Sequence, residues 1–206
     1  MSKQILVTLI SLLFSGQIMA IEEPKYEVLE VAGDFELRAY NPMIVAETIV
    51  DGSMDDASSQ GFRRIAGYIF GDNTSKAGEI EKVNMTAPVT IQPKAEKISM
   101  TTPVTLKEEK GSWRIHFVMP SEYTMDTLPT PDEANVTLRE VPAQKFAVIT
   151  FSGFAGEEKV ALKTQMLLQW LAEKGIRQQG KPQLARYNPP WTLPFFRRNE
   201  VMIAIK

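Results

Sequence analysis

Two stretches of the chain carry an apolar rhythm of three and four. The first starts after Ser53, where Met54, Ala57, Gly61, Phe62, Ile65, Ala66 and Ile69 make one stripe along a helix. Ser53 with Asp56 three residues on gives it a capped start, and Gly71-Asp72-Asn73 stops it. The second runs from about Glu157 to Lys174 and ends at Gly175, with Val160, Thr164, Leu167, Leu168 and Leu171 inward and Met166 and Trp170 widening that side. Each helix has a single apolar side, so each is expected on one face of a sheet.

Strand patterns fill the remainder. Trp113, Ile115, Phe117 and Met119 point one way, Arg114 and His116 the other. Met85 to Ile91, Ile98 to Leu106, Gln183 to Tyr187 and Val201 to Ile205 add further strands, with a turn at Gln92-Pro93-Lys94-Ala95. Before each helix stands a matching unit. Leu37-Arg38, Pro42, Ala46 and Gly52 are echoed by Leu138-Arg139, Pro142, Ala147 and Gly153, and only the proline slips by one place. Each unit reads as strand, proline turn and β-branched strand, which points to an internal duplication. Nine or ten strands and two helices suit a curved sheet or distorted barrel with the helices packed outside.

Residues 1–20 read as a bacterial-type secretory signal. Lys3 is the positive start, Ile5 to Phe14 the apolar run, and Ala20 the small residue at the expected cut. That run is about ten residues, short of the roughly 20 a spanning helix needs. Cleavage would leave one domain over residues 21–206, soluble and periplasmic or secreted, with no membrane span. The chain has no cysteine. Disulfides, thiol catalysis, zinc-thiolate sites and a lipidated N-terminal cysteine are thereby excluded. With Lys3 gone, 22 basic residues face 25 acidic ones and form no basic block, so nucleic acid is not an expected partner.

Chemistry-bearing motifs are few. There is one histidine, no phosphate-cradling glycine loop and no Gly-x-Ser-x-Gly elbow, so no enzyme is expected. The acid pairs Asp55-Asp56, Glu108-Glu109 and Glu157-Glu158 fall at turns or helix starts. Met85-Thr-Ala-Pro-Val-Thr90 recurs as Met100-Thr-Thr-Pro-Val-Thr105, which sets two adaptable thioethers at matched points, as cavity lining or as core.

Several stretches taken in order resemble the SOUL heme-binding family: Tyr26-Glu-Val-Leu29, Glu36-Leu-Arg-Ala-Tyr-Asn-Pro42, Gly61-Phe62 through Tyr68-Ile-Phe-Gly71, Met85-Thr-Ala-Pro-Val89, Val118-Met-Pro120, Tyr187-Asn-Pro-Pro190 and Arg197-Arg-Asn-Glu200. The resemblance implies an α+β fold, a distorted antiparallel β-barrel of two similar βαββ halves with two helices outside. It also implies a shallow apolar site beside the first helix for non-covalent haem or a related tetrapyrrole, held reversibly for sequestration or transfer.

A flat apolar plate with two carboxylates needs an apolar floor and cations at its edge. Phe62, Ile65 and Ile69 supply such a floor, with Arg63 and Arg64 beside it. The loop from Pro189 to Arg198 repeats that logic with Trp191 and two phenylalanines ahead of Arg197 and Arg198, and Met85 and Met100 are candidate lining. Iron ligation is expected to need no dedicated side chain. Where some relatives carry a proposed histidine ligand this chain has Ala39, and where some carry a lysine it has Gly67. His116 points away from the apolar side, and Tyr40, Tyr68, Tyr187 and the methionines are the other candidate ligands. Two alternatives stand beside this reading: a GyrI-like small-molecule hydrolase using Glu200 with Tyr187, and an interaction module with no tetrapyrrole.

Overall fold

In a computed structural model the structure describes residues 21–94 and 111–206. Two helices, α1 (Met54–Phe70) and α2 (Glu157–Glu173), lie on one face of a curled nine-stranded antiparallel sheet. In chain order its strands are β1 (Tyr26–Ala32), β2 (Phe35–Tyr40), β3 (Met43–Asp51), β5 (Val89–Pro93), β6 (Ser112–Val118), β8 (Thr137–Val141), β9 (Gln144–Phe151), β10 (Gln183–Arg186) and β11 (Asn199–Ile205). Two short strands, β4 (Asn73–Thr74) and β7 (Thr130–Pro131), pair separately. Across the large sheet the order is β1-β2-β9-β11-β10-β5-β6-β3-β8, a half-barrel open between β1 and β8.

That order makes the duplication visible, with one exchange. β2 and β3 flank the Pro42 turn but do not pair with each other. β2 joins β9 of the second half, and β8 joins β3 of the first. The two junctions have the same register: Leu37 faces Ala147 and Leu138 faces Ala46, while Arg38 faces Phe146 and Arg139 faces Val45. The repeated Leu-Arg and Ala positions are therefore the places where the halves lock together.

Local signals set the helix ends as the sequence predicts. The Ser53 hydroxyl accepts from the Asp56 amide at 3.2 Å and donates to the Asp56 carboxylate at 2.8 Å. Gly71, with φ at 136°, closes α1. Gly61 serves packing: a Cβ there would stand 2.7 Å from Cβ of Ile115, so its missing side chain lets α1 approach β6. Between helices and sheet lies the main core, with Ile65, Tyr68, Ile69, Ile115, Phe117, Leu167, Leu171, Val201 and Ile203 at its centre. The opposite face holds a smaller cluster of Tyr40, Ala87, Val148, Ala185, Tyr187 and Met202. Both faces of β11 are covered, and all seven of its residues are buried.

Two strand expectations shift. Met85 precedes its strand, since β5 begins only at Val89. β11 begins two residues early at Asn199, because Asn199 and Glu200 pair with Phe151 and Thr150 of β9. The expected strand Ile98 to Leu106, with Met100, lies outside the described residues.

Candidate functional site

The two helices do not meet over the middle of the sheet. Between the first turns of α1 and the first three turns of α2 runs a groove of about 1220 Å³. Its floor is Ile91, Leu184 and Val201 from the central strands, and Trp113 and Met54 close one end. Val160, Ala161, Thr164 and Leu168 of α2 form a wall. This is why α2 carries a wider apolar side than its packing uses: Leu167 and Leu171 are buried, whereas Leu168 is 37% exposed. Charged lining comes from Asp51, Asp56 and Glu157, with no Lys or Arg among the described lining residues. These acids are partly engaged, Asp56 with the Ser53 cap and Glu157 in accepting from the Met54 amide at 3.3 Å.

On the opposite face Glu200 is fully buried within a closed hydrogen-bond set. Arg38 donates to both its oxygens, at 2.9 and 3.1 Å. Arg198 donates twice to Oε1, at 3.0 and 2.8 Å, and the Tyr187 hydroxyl donates to Oε2 at 2.7 Å. Burial alone would raise the Glu200 pKa, but the hydrogen bonds and charges of Arg38 and Arg198 overturn that and hold it below the ordinary carboxylate value. Burial and the adjacent carboxylate push the Tyr187 hydroxyl far up. Tyr40, which accepts from Arg38 at 3.1 Å, is raised to about 12, mainly by burial. The cluster is locked and charge-paired, with both carboxylate oxygens of Glu200 engaged.

Further along that face, Glu47, His116, Thr90, Ala185, Glu200 and Thr150 stand in one transverse row across six strands. His116 thus points away from Ile115 and Phe117, as its alternation predicts. Among the described residues its enclosed Nδ1 has no hydrogen-bond partner, and burial lowers its pKa to about 4, so the ring is neutral at physiological pH. Glu47 accepts twice from Arg139, at 3.0 and 2.9 Å, with Arg114 3.7 Å away.

The residues singled out from sequence fall in five separate places. Ile65 and Ile69 are wholly in the core and offer no surface to a ligand. Phe62 is 37% exposed on the outer side of α1, edge-on to Phe117, with Arg63 exposed beside it. Arg64 is tied to Thr48, to the Ile49 carbonyl and to Glu133. Trp191 projects from a loop at 82% exposure, and Arg197 is folded back on the carbonyls of that loop. Arg198 belongs to the Glu200 cluster, and Met85 is half-buried ahead of β5. None of them lines the groove between the helices.

Two features escaped the sequence reading. Arg38 stood out there as a mark of the repeat, while its role as partner to Glu200 depends on strands far apart in the chain. The groove's lining is drawn from apolar positions that look like ordinary core. Its one local signal is the excess width of the α2 stripe.

A curled antiparallel sheet carrying two helices on one face, built from two interlocked repeats, defines an α+β half-barrel class of domains. The EcmrR C-terminal domain superposes with a TM-score of 0.59 at 13% identity, over 88% of this chain and 98% of that one. A hydrolase from Listeria innocua gives a TM-score of 0.60 at 13% identity, over 86% of this chain and 94% of its own. At such identity these likenesses concern the fold. By sequence, no curated protein matches the chain. The family model described as SOUL heme-binding protein matches residues 21–204, and the chain belongs to that family.

Proposed function

We propose that the protein is a reversible, non-covalent binder of haem or a related tetrapyrrole, and that the groove between α1 and α2 is where the ring sits. The observation that carries this reading is an apolar-floored groove of about 1220 Å³ beside α1 in a chain of the SOUL family. Small-molecule sites span roughly 300–1,000 Å³, so the groove has room for a flat macrocycle.

The lining fits the ring and not the rest of the ligand. Trp113, Val160, Ala161 and Leu168 offer apolar contact, but no described histidine or tyrosine lines the groove to meet an iron. Its carboxylates would repel propionates, which must therefore turn out to solvent. Ring contact without an axial bond or paired propionates gives modest affinity and ready release. That suits sequestration and transfer in an exported protein, with residues 1–20 acting as the export signal. When bound, haem would supply its iron and its colour; what this chain contributes is an apolar floor, a stacking indole at Trp113 and partial exclusion of water.

Hydrolysis through Glu200 and Tyr187 is the weaker reading. Both carboxylate oxygens are already engaged, and the phenol donates into the carboxylate, so neither group is free to take a proton from water.

Haemin titration of residues 21–206, followed by the Soret band, tests the proposal together with Ala161→Trp, which fills the groove from the α2 wall. Saturable binding in the parent and its loss in Ala161→Trp are expected. Binding unchanged by that substitution, but lost in Phe62→Ala or Trp191→Ala, would move the site to the outer face of α1 or to the 189–198 loop.

A further inference from the structure

Among the described residues, five large apolar side chains at one end of the domain stand exposed. Phe154, Trp191, Leu193, Phe195 and Phe196 are 66%, 82%, 55%, 66% and 70% exposed. A contiguous exposed apolar patch of this kind marks an interaction surface. The loop that bears four of them is held firmly. The Gly153 amide donates to the Pro194 carbonyl at 2.8 Å, and Asn199 donates back to the Gly153 carbonyl at 3.0 Å. Arg197 ties the loop to itself through the carbonyls of Thr192 (2.8 Å) and Pro190 (2.5 Å), with its guanidinium 4.9 Å from the Phe154 ring centre. Three prolines, at 189, 190 and 194, stiffen it further. The aromatics are thus presented outward on a rigid frame.

We infer that this tip docks on a lipid bilayer surface, with Trp191, Leu193, Phe195 and Phe196 entering the interfacial layer and Arg197 and Lys159 at headgroup level. Composition supports that occupant, because an indole with flanking phenylalanines above basic side chains matches the water–lipid boundary. Chain continuity supports it as well. Arg198, at the root of the loop, is salt-bridged to Glu23 at 3.0 Å, so the chain following the apolar run Ile5 to Phe14 enters the domain at the root of this loop. Until residues 1–20 are cut away, whatever holds that run at a membrane holds the tip towards the same surface, and the exposed aromatics remain there afterwards. Among the described residues no helix is long and apolar enough to cross a membrane, so the contact is peripheral. This surface is separate from the groove and does not depend on what the groove binds.

The test uses residues 21–206, which lack the apolar run, with vesicles of phosphatidylethanolamine and phosphatidylglycerol. Co-sedimentation that persists in high salt is expected, falling about tenfold or more in W191A/F195A, two exposed positions whose loss leaves the circular dichroism spectrum unchanged. In a W113F/W170F background Trp191 is the sole tryptophan, and its emission should shift to the blue and be quenched by brominated lipid tails. Absence of co-sedimentation by the parent, or equal partitioning of parent and W191A/F195A, would overturn the inference. So would a dimer seen by light scattering that W191A/F195A abolishes without any vesicle binding, since the patch would then belong to a second copy of the chain.

Discussion

Arg38 and Glu200, 162 residues apart in the chain, meet as a two-pronged ion pair with both side chains almost wholly buried. Arg38 also donates to Glu36 at 2.6 Å, and its guanidinium carbon lies 4.5 Å from the Tyr26 ring centre. The pair bridges β2 of the first half and β11 of the second, on opposite sides of β9. It therefore fixes the strand exchange from the face without helices, while the main core does so from the other. Removing one partner leaves a charge buried without its main counter-ion, which costs about 3–5 kcal/mol. Arg38→Met and Glu200→Gln should each lower the free energy of urea unfolding by about 3 kcal/mol. The double variant should cost clearly less than the two together, because the second change then removes an orphaned charge.

Acid should weaken the fold in two separable steps. His116 has its folded pKa lowered to about 4 from 6.5 in the unfolded chain. Its contribution is therefore fully present above pH 6.5 and falls away as the pH drops towards 4, by about 3 kcal/mol at most. Glu200 is held below its ordinary value of 4.5, so its contribution is present above that value and is lost only as the pH falls further. Chemical melts across this range should show a declining stability whose upper part flattens in His116→Gln and whose lower part flattens in Glu200→Gln. A parent protein equally stable at pH 7 and pH 4.5 would contradict the buried, neutral state of His116.

Gly61 should tolerate no side chain. The 2.7 Å approach to Ile115 is backbone-anchored on both sides, so even a methyl group must push α1 away from β6. Gly61→Ala should cost about 1–3 kcal/mol in spite of alanine's better helix propensity. Shortening the opposing side chain in Gly61→Ala/Ile115→Ala should return part of that loss relative to Ile115→Ala alone. Thermal melts of the three variants measure it.

What could be read from the sequence follows the range of the physics involved. Both helices, the Ser53 cap and the Gly71 stop are local signals, and the structure reproduces them. The repeat of Leu37-Arg38 in Leu138-Arg139 was legible because duplication keeps spacing. Which strands those residues join was not, since the Pro42 turn looks the same whether its arms pair with each other or part to opposite halves. Ile65 and Ile69 share a stripe with Phe62, yet only Phe62 has free surface. A helical stripe shows which side turns inward without showing how far the sheet covers it. The groove is the same problem in reverse: Leu168 and Val160 read as core because a missing neighbour leaves no trace in sequence.

Iron should matter little to the affinity. Each tyrosine that could ligate it is occupied and disfavoured as a phenolate. Tyr68 donates to the Pro129 carbonyl at 3.0 Å inside the core, Tyr187 donates to Glu200, and Tyr40 is raised to about 12 by burial. His116 lies on the face opposite the groove, and Met54, which lines it, is only 3% exposed. Binding then rests on apolar contact, and burying even half the area of a large aromatic at about 25 cal/mol per Å² gives a few kcal/mol before association costs. Metal-free protoporphyrin should therefore bind within roughly tenfold of haemin, a factor worth about 1.4 kcal/mol. His116→Ala should leave both affinities and the haemin Soret maximum unchanged, and high salt should alter neither. Fluorescence quenching of Trp113, which lines the groove, follows both ligands on one scale. Haemin binding strongly where protoporphyrin does not bind at all would require a side-chain ligand, which the described lining of the groove does not contain.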